Sequence, residues 1–223
     1  MGHPDPHDAE KLLAHTIFWD VDTQNDFMMP EGKLYIQGAE EILPNLSRLT
    51  DFARRCEIPI LGSVDYHSLG DPEISSDPDF EQTFPPHCMR ETSGQLKVEA
   101  TEPRNPYWVD NEAGDPDALW TVVDAHRGEL FFRKQEVDVF ANQNLDSILE
   151  QVSPGRIILY GVALDVCNAC AINGFLERDT VPVSLVLDAT KAIIPERGEE
   201  LVSEWRKLGV DITDTATVIS TDF

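Results

Sequence analysis

The side chains in this sequence that could do chemistry together are a cysteine, several carboxylates, a lysine and two histidines, each beside the expected end of a strand. The cysteine is Cys167. The run Arg156-Ile-Ile-Leu-Tyr160 is short, apolar and rich in β-branched residues, which predicts a buried strand. Gly161 breaks it, and the apolar stretch from Leu164 to Leu176 predicts a helix. Cys167 then lies in the first helical turn, just past the carboxyl end of a strand, where open α/β sheets place their ligand crevices. Unpaired N–H groups there favour an anion, so the thiol is expected to lose its proton more easily. That suits a nucleophile. Cysteine alone also suits a small apolar core role, so the position carries the reading.

Carboxylates stand at the end of another expected strand, in Phe18-Trp-Asp-Val-Asp-Thr-Gln-Asn-Asp-Phe27. Asp20, Asp22 or Asp26 could take a thiol's proton and pass it to a leaving group. An aspartate there equally suits a turn or a helix cap. Asp65-Tyr-His67 follows a third strand, and residues i and i+2 of an extended stretch point the same way. With His87 in Phe84-Pro-Pro-His-Cys88, these make a nitrogen and oxygen set suited to zinc first, with iron or manganese as alternatives. Glu73, Asp71 and Glu81 are supplementary ligand candidates. Lys134 ends the run Glu129-Leu-Phe-Phe-Arg133, and a lysine on a buried strand is costly to place. Its ammonium would stabilise a thiolate, unless it simply reaches solvent. Cys167-Asn-Ala-Cys170 is also a C-x-x-C, so a thiol redox pair is a separate reading.

The elements that must position these groups alternate in a βα rhythm. Strands are expected at Thr16–Asp20, Pro59–Val64, Leu130–Arg133, Arg156–Tyr160 and Val181–Leu187, with a weaker one near Val218. Helices are expected at Glu40–Cys56, Asn142–Gln151, Leu164–Arg178 and Pro195–Leu208, with Gly209 as the residue that ends the last. This order implies a doubly wound, mostly parallel sheet with helices on both faces. The segment Lys97–Arg127 interrupts the rhythm with three prolines, Trp108 and Trp120, and reads as an irregular insertion, a lid or a subunit contact.

The 223 residues fit one α/β domain. A net charge of −24, from 41 acidic and 17 basic residues, argues against nucleic acid and anionic lipid as partners. No apolar run approaches the roughly 20 residues of a membrane span. The polar first ten residues hold no signal-peptide core, and four cysteines make no disulfide framework, so a reducing, cytoplasmic setting is expected.

Together, Asp22, Lys134 and Cys167 resemble the Asp-Lys-Cys triad of the isochorismatase-like cysteine hydrolases. Asp22-Thr-Gln-Asn-Asp-Phe27 is similar to that superfamily's opening motif, and Gly161-Val-Ala-Leu-Asp-Val-Cys167 to its cysteine motif. The resemblance implies a cis Val162–Ala163 bond and an oxyanion hole formed by the N–H groups of Ala163 and Cys167. Asp65-Tyr-His67 with Phe-Pro-Pro-His87 looks most like the nicotinamidase (pyrazinamidase) branch. That branch implies a metal holding the pyridine nitrogen of the substrate, Phe27 and Phe84 against its ring, and a homo-oligomer. The implied activity is hydrolysis of nicotinamide through a thioester, with another small amide or carbamoyl compound as the alternative. The sequence departs from the usual pattern at Asp138, Val139 and Ala141, and after the cysteine at Asn168, Ala171 and Ile172.

Overall fold

The computed structural model describes residues 15–80, 82–178 and 181–221. Strand β1 (Thr16–Val21) is buried along its whole length, as its apolar sequence demands. A single helical turn, α1 (Asn25–Met28), follows it, and α2 (Leu43–Arg55) leads to β2 (Ile60–Asp65). Next come β3 (Tyr107–Val109), α3 (Pro116–Ala125), β4 (Leu130–Lys134) and α4 (Leu145–Val152). The chain then forms β5 (Arg156–Val162), α5 (Cys167–Glu177), β6 (Val183–Lys191) and α6 (Pro195–Leu208). It closes with β7 (Asp211–Thr213) and α7 (Thr215–Ile219).

All seven strands form one parallel sheet in the order β3-β4-β2-β1-β5-β6-β7. One face packs Trp19, Phe132 and Leu159 against Leu145 and Ile148 of α4, Phe175 of α5 and Trp205 of α6. The other packs Phe18, Phe131 and Tyr160 against Leu46, Leu49 and Phe52 of α2 and Val218 of α7. This is the doubly wound fold expected. Among the described residues, no helix is long and apolar enough to cross a membrane.

Two expectations need correction. The region near Val218 is helical, because the Asp214 carboxylate accepts the Thr217 N–H at 2.7 Å and starts a helix where a strand was expected. The segment Lys97–Arg127 is not irregular throughout: β3 adds an edge strand beside β4, and α3 is the crossover between them. Asp115 caps α3 and Pro116 fills its first turn; no residue of α3 is fully buried, and Leu119 and Val123 pack against the core while partly exposed. Trp108 of β3 lies against Phe131, with ring centroids 5.5 Å apart.

Chain order reverses between β1 and β5, which are neighbours, and the crevice of such a sheet opens there at the carboxyl ends. Gly161 of β5 lies opposite Val21 of β1 with φ +112°, and a Cβ on it would sit 2.1 Å from the Val21 carbonyl oxygen. Only glycine fits there. Gly161→Ala should cost about 1–3 kcal/mol of stability, read as a lower urea midpoint with an unchanged slope; an unshifted midpoint would contradict this packing.

Candidate active site

Asp22, Lys134 and Cys167 meet in the crevice. Asp22 is the first residue after β1, at φ +47°, a left-handed conformation that aspartate tolerates better than most. Lys134 ends β4 and is wholly buried. Its Nζ lies 3.1 Å from Asp22 Oδ2 and 3.7 Å from Cys167 Sγ, and it also contacts Asp65 Oδ1 directly. Parallel pairing explains that contact, because Asp65 and Lys134 are register partners on β2 and β4. Ser63 Oγ donates to Asp22 Oδ1 at 2.7 Å, a contact that the sequence alone did not single out.

Cys167 lies in the first turn of α5, as expected, although the helix begins at Cys167 itself and not at Leu164, and the Val162–Ala163 bond before it is cis. The N–H groups of Ala163 and Cys167 make no backbone hydrogen bond among the described residues, which leaves both available as donors. The expected easing of thiol ionisation is not what the surroundings produce. Burial, aided by the Asp22 and Asp65 carboxylates, pushes the Cys167 thiol well up, and the Lys134 ammonium only partly opposes this. The resting group is a thiol and needs a base. Burial also raises the Asp22 carboxyl, with Asp65 adding to the rise against Lys134 and Ser63, so Asp22 is a stronger base than an exposed aspartate. Burial works against the charge on Lys134, but Asp22 and Asp65 hold its ammonium far more firmly than usual.

The other two aspartates of the opening motif do different work. Asp20 pairs with the buried Lys97 at 3.0 Å and accepts from Thr23 Oγ1. Asp26 accepts the N–H groups of Cys88 at 2.7 Å and Lys33 at 3.0 Å, which ties down the loop carrying His87. Gln24 of the same motif, to which the sequence assigned no role, has its amide oxygen accept the Asp65 N–H and its Nε2 donate to the Asp65 carbonyl, pinning that residue's backbone. Cys170 is half-buried, and all four cysteines are free thiols.

Asp65, His67 and His87 come together with Glu73, and one donor atom of each lies within 4.8 Å of the others. His87 Nε2 is 3.3 Å and His67 Nε2 3.6 Å from Asp65 Oδ2, while His87 Nε2 is 3.8 Å from Glu73 Oε1. The remaining ring nitrogens face outward, His87 Nδ1 to the Pro85 carbonyl at 2.8 Å and His67 Nδ1 towards Asp71 at 3.5 Å. Such outer partners orient histidines that ligate metals. His67 is fully buried, yet among the described residues neither of its ring nitrogens has a hydrogen-bond partner. Burial and the nearby Asp65 raise the Glu73 carboxyl. A cation among these groups would satisfy His67 and relieve the carboxylate pair, so the donors fit a divalent metal. Of the supplementary candidates, Glu73 joins the set, Asp71 backs His67, and Glu81 lies outside the described residues.

A cavity of about 360 Å³, its open mouth included, joins the cysteine to the candidate metal ligands. Phe27, Phe84, Leu34, Ile36, Val137 and Ile193 form its apolar walls, and the Phe27 and Phe84 rings lie 5.4 Å and 6.1 Å from that of His87. Larger clefts beside Arg178 and Arg206 hold neither the thiol nor the histidines.

A family model described as the isochorismatase domain matches residues 17–217. An Arabidopsis thaliana protein named as a probable inactive nicotinamidase is 22% identical over 192 residues, covering 85% of this chain and 87% of that protein. The pyrazinamidase of Pyrococcus horikoshii, solved in complex with zinc, has a TM-score of 0.68 at 22% identity, covering 90% of this chain and 99% of the other. An N-carbamoylsarcosine amidase from Thermoplasma acidophilum gives 0.66 at 21%, over 90% and 96%. At such identities the structural likenesses establish the fold.

Metal binding can be checked by titrating the metal-free protein with zinc in a calorimeter. One site per chain is expected, lost in His67→Ala and weakened about 10–100-fold in Asp71→Ala; unchanged binding by His67→Ala would place the metal elsewhere.

Proposed function

Because the chain belongs to the isochorismatase family, whose domain spans residues 17–217, we propose that it is a metal-assisted cysteine amidohydrolase converting nicotinamide to nicotinate and ammonia. The observation that carries this reading is the single Lys134 ammonium touching Asp22, Asp65 and Cys167. It joins a nucleophile, a base and a metal ligand through one buried cation.

In this mechanism Asp22 takes the proton from Cys167, and the sulfur attacks the amide carbonyl carbon. The N–H groups of Ala163 and Cys167 hold the developing oxyanion. Asp22 then passes its proton to the nitrogen, the carbon–nitrogen bond breaks and ammonia leaves a thioester on Cys167. Asp22 next deprotonates a water that attacks the thioester, releasing the acid and returning the proton to sulfur. Lys134 stays protonated throughout and keeps Asp22 aimed at the thiol. A divalent ion held by Asp65, His67, Glu73 and His87 would supply a Lewis-acid anchor for a donor atom of the substrate. Phe27 and Phe84 would flank the ring.

A second reading keeps the machinery and changes the acyl group, in line with the shared fold of the N-carbamoylsarcosine amidase. Against a carboxylate-bearing substrate, the lining includes Asp65 and Glu73 and no lysine or arginine. A small neutral amide suits those walls better. The Arabidopsis relative is named as probably inactive, whereas this chain holds all three of Asp22, Lys134 and Cys167 in contact, so turnover decides.

Ammonia release from nicotinamide should disappear in Cys167→Ala and fall on chelation. Wild-type turnover by that variant would refute the mechanism; turnover of another amide in a small panel, with none of nicotinamide, would select the second reading. The pH profile gives a separate check. The base must be ionised, so activity is lost as pH falls through the Asp22 value, which burial sets above the ordinary aspartate value of about 3.9. Removing the Ser63 hydrogen bond, which favours the ionised form, should move the acid limb of kcat/KM to higher pH in Ser63→Ala. A limb that stays put or moves down would show that Asp22 is not the titrating base.

A further inference from the structure

The turn between β5 and α5, which carries the nucleophile, is fastened to the stretch that follows β6. Leu164 N–H donates to the Lys191 carbonyl at 2.9 Å. The Asp165 carboxylate accepts two consecutive backbone N–H groups, Oδ1 from Ile193 and Oδ2 from Ile194, both at 2.8 Å. Ile194 is the residue that caps α6, and it has no side-chain oxygen to receive the first N–H groups of a helix. Asp165, from a different element, instead holds the two residues that lead into the helix. Hydrogen bonds to a charged acceptor are among the stronger ones, and two on adjacent residues fix both the position and the direction of that backbone.

What this backbone presents is Ile193. Its side chain lines the cavity with Cys167, Ala163, Val166 and Val137, yet it is 48% exposed. An aliphatic side chain so open has few neighbours to hold it, so its place depends on the backbone beneath it. We infer that Asp165 is a positioning residue for substrate selection: it fixes Ile193 as the outer wall of the cavity, so that a compact, flat group reaches Cys167 and a bulkier one does not. The inference rests on the amidase reading only in identifying that group as the acyl part of an amide. Asp165 touches no reacting atom.

The test does not need amide turnover. Cys167 in the full chain is alkylated with iodoacetamide and, separately, with its N-phenyl analogue iodoacetanilide, and modification of the Cys167 peptide is followed by mass spectrometry. The rate ratio of the bulky to the small reagent should rise about tenfold in Ile193→Ala and in Asp165→Ala, the scale of one lost hydrophobic contact in a pocket. Asp165→Asn keeps the shape and one acceptor, should fold as the wild type does, and should fall between. With nicotinamide as substrate, KM should rise more than kcat falls in the Asp165 variants. If Ile193→Ala opens the ratio while both Asp165 variants behave as wild type, or if no variant changes it, the inference is overturned. If the ratios shift as stated while the wild type hydrolyses no amide, the wall assignment stands and the amidase reading fails.

Discussion

Burying an ammonium costs several kcal/mol unless its partners are close and well placed, and Lys134 is buried completely. Asp22 and Asp65 supply those partners, one on each side, and Cys167 Sγ sits at 3.7 Å. The dependence runs both ways. Two carboxylates this deep, on adjacent strands, would repel each other without a cation between them. Lys134 holds Asp65 well below the usual carboxylate range even though burial acts in the opposite direction. Asp22 is left with its carboxyl raised, which suits a base.

The sheet makes this meeting possible. Parallel register sets Asp65 beside Lys134, and the reversal of chain order between β1 and β5 brings Asp22 and Cys167 to the same crevice. The motif after β1 acts as a jig around it. Asp22 faces the lysine, Gln24 pins the Asp65 backbone, Asp26 ties down the loop bearing His87, and Phe27 forms a cavity wall. A change in this short stretch would disturb the nucleophile's base and the metal donors together.

Much of the arrangement was legible from residue types at strand ends. Cys167, Lys134 and the Asp65, His67 and His87 set stand where βα units present their carboxyl edges, and the lysine and aspartate are costly to bury without a purpose. Choosing Asp22 over Asp20 and Asp26 needed either the family resemblance or coordinates, since all three cluster at the end of one strand and only packing shows that Lys97 and the Cys88 N–H occupy the others. Gln24 stood in the opening motif without a visible role and Ser63 carried no signal, because their partners, the Asp65 backbone and the Asp22 carboxylate, lie 41 residues away in sequence. The thiol was misjudged for a related reason: the helix terminus is local and visible, whereas burial and two carboxylates from other strands are not. Helix α3 escaped notice because it buries no residue fully, and α7 because a five-residue run with four β-branched side chains owes its helicity to the Asp214 cap.

The claim beneath all of this is that one ammonium holds Asp22 in place, and a double-mutant cycle on folding stability tests it without any substrate. Lys134→Met, Asp22→Asn and the double variant would be unfolded in urea as metal-free proteins. Lys134→Met alone should cost about 3–5 kcal/mol, because it strands buried carboxylates, and the cost should fall by about 1 kcal/mol or more when Asp22 is already neutral. Equal costs in both backgrounds would mean that the two side chains do not interact, and the account would fail at its centre.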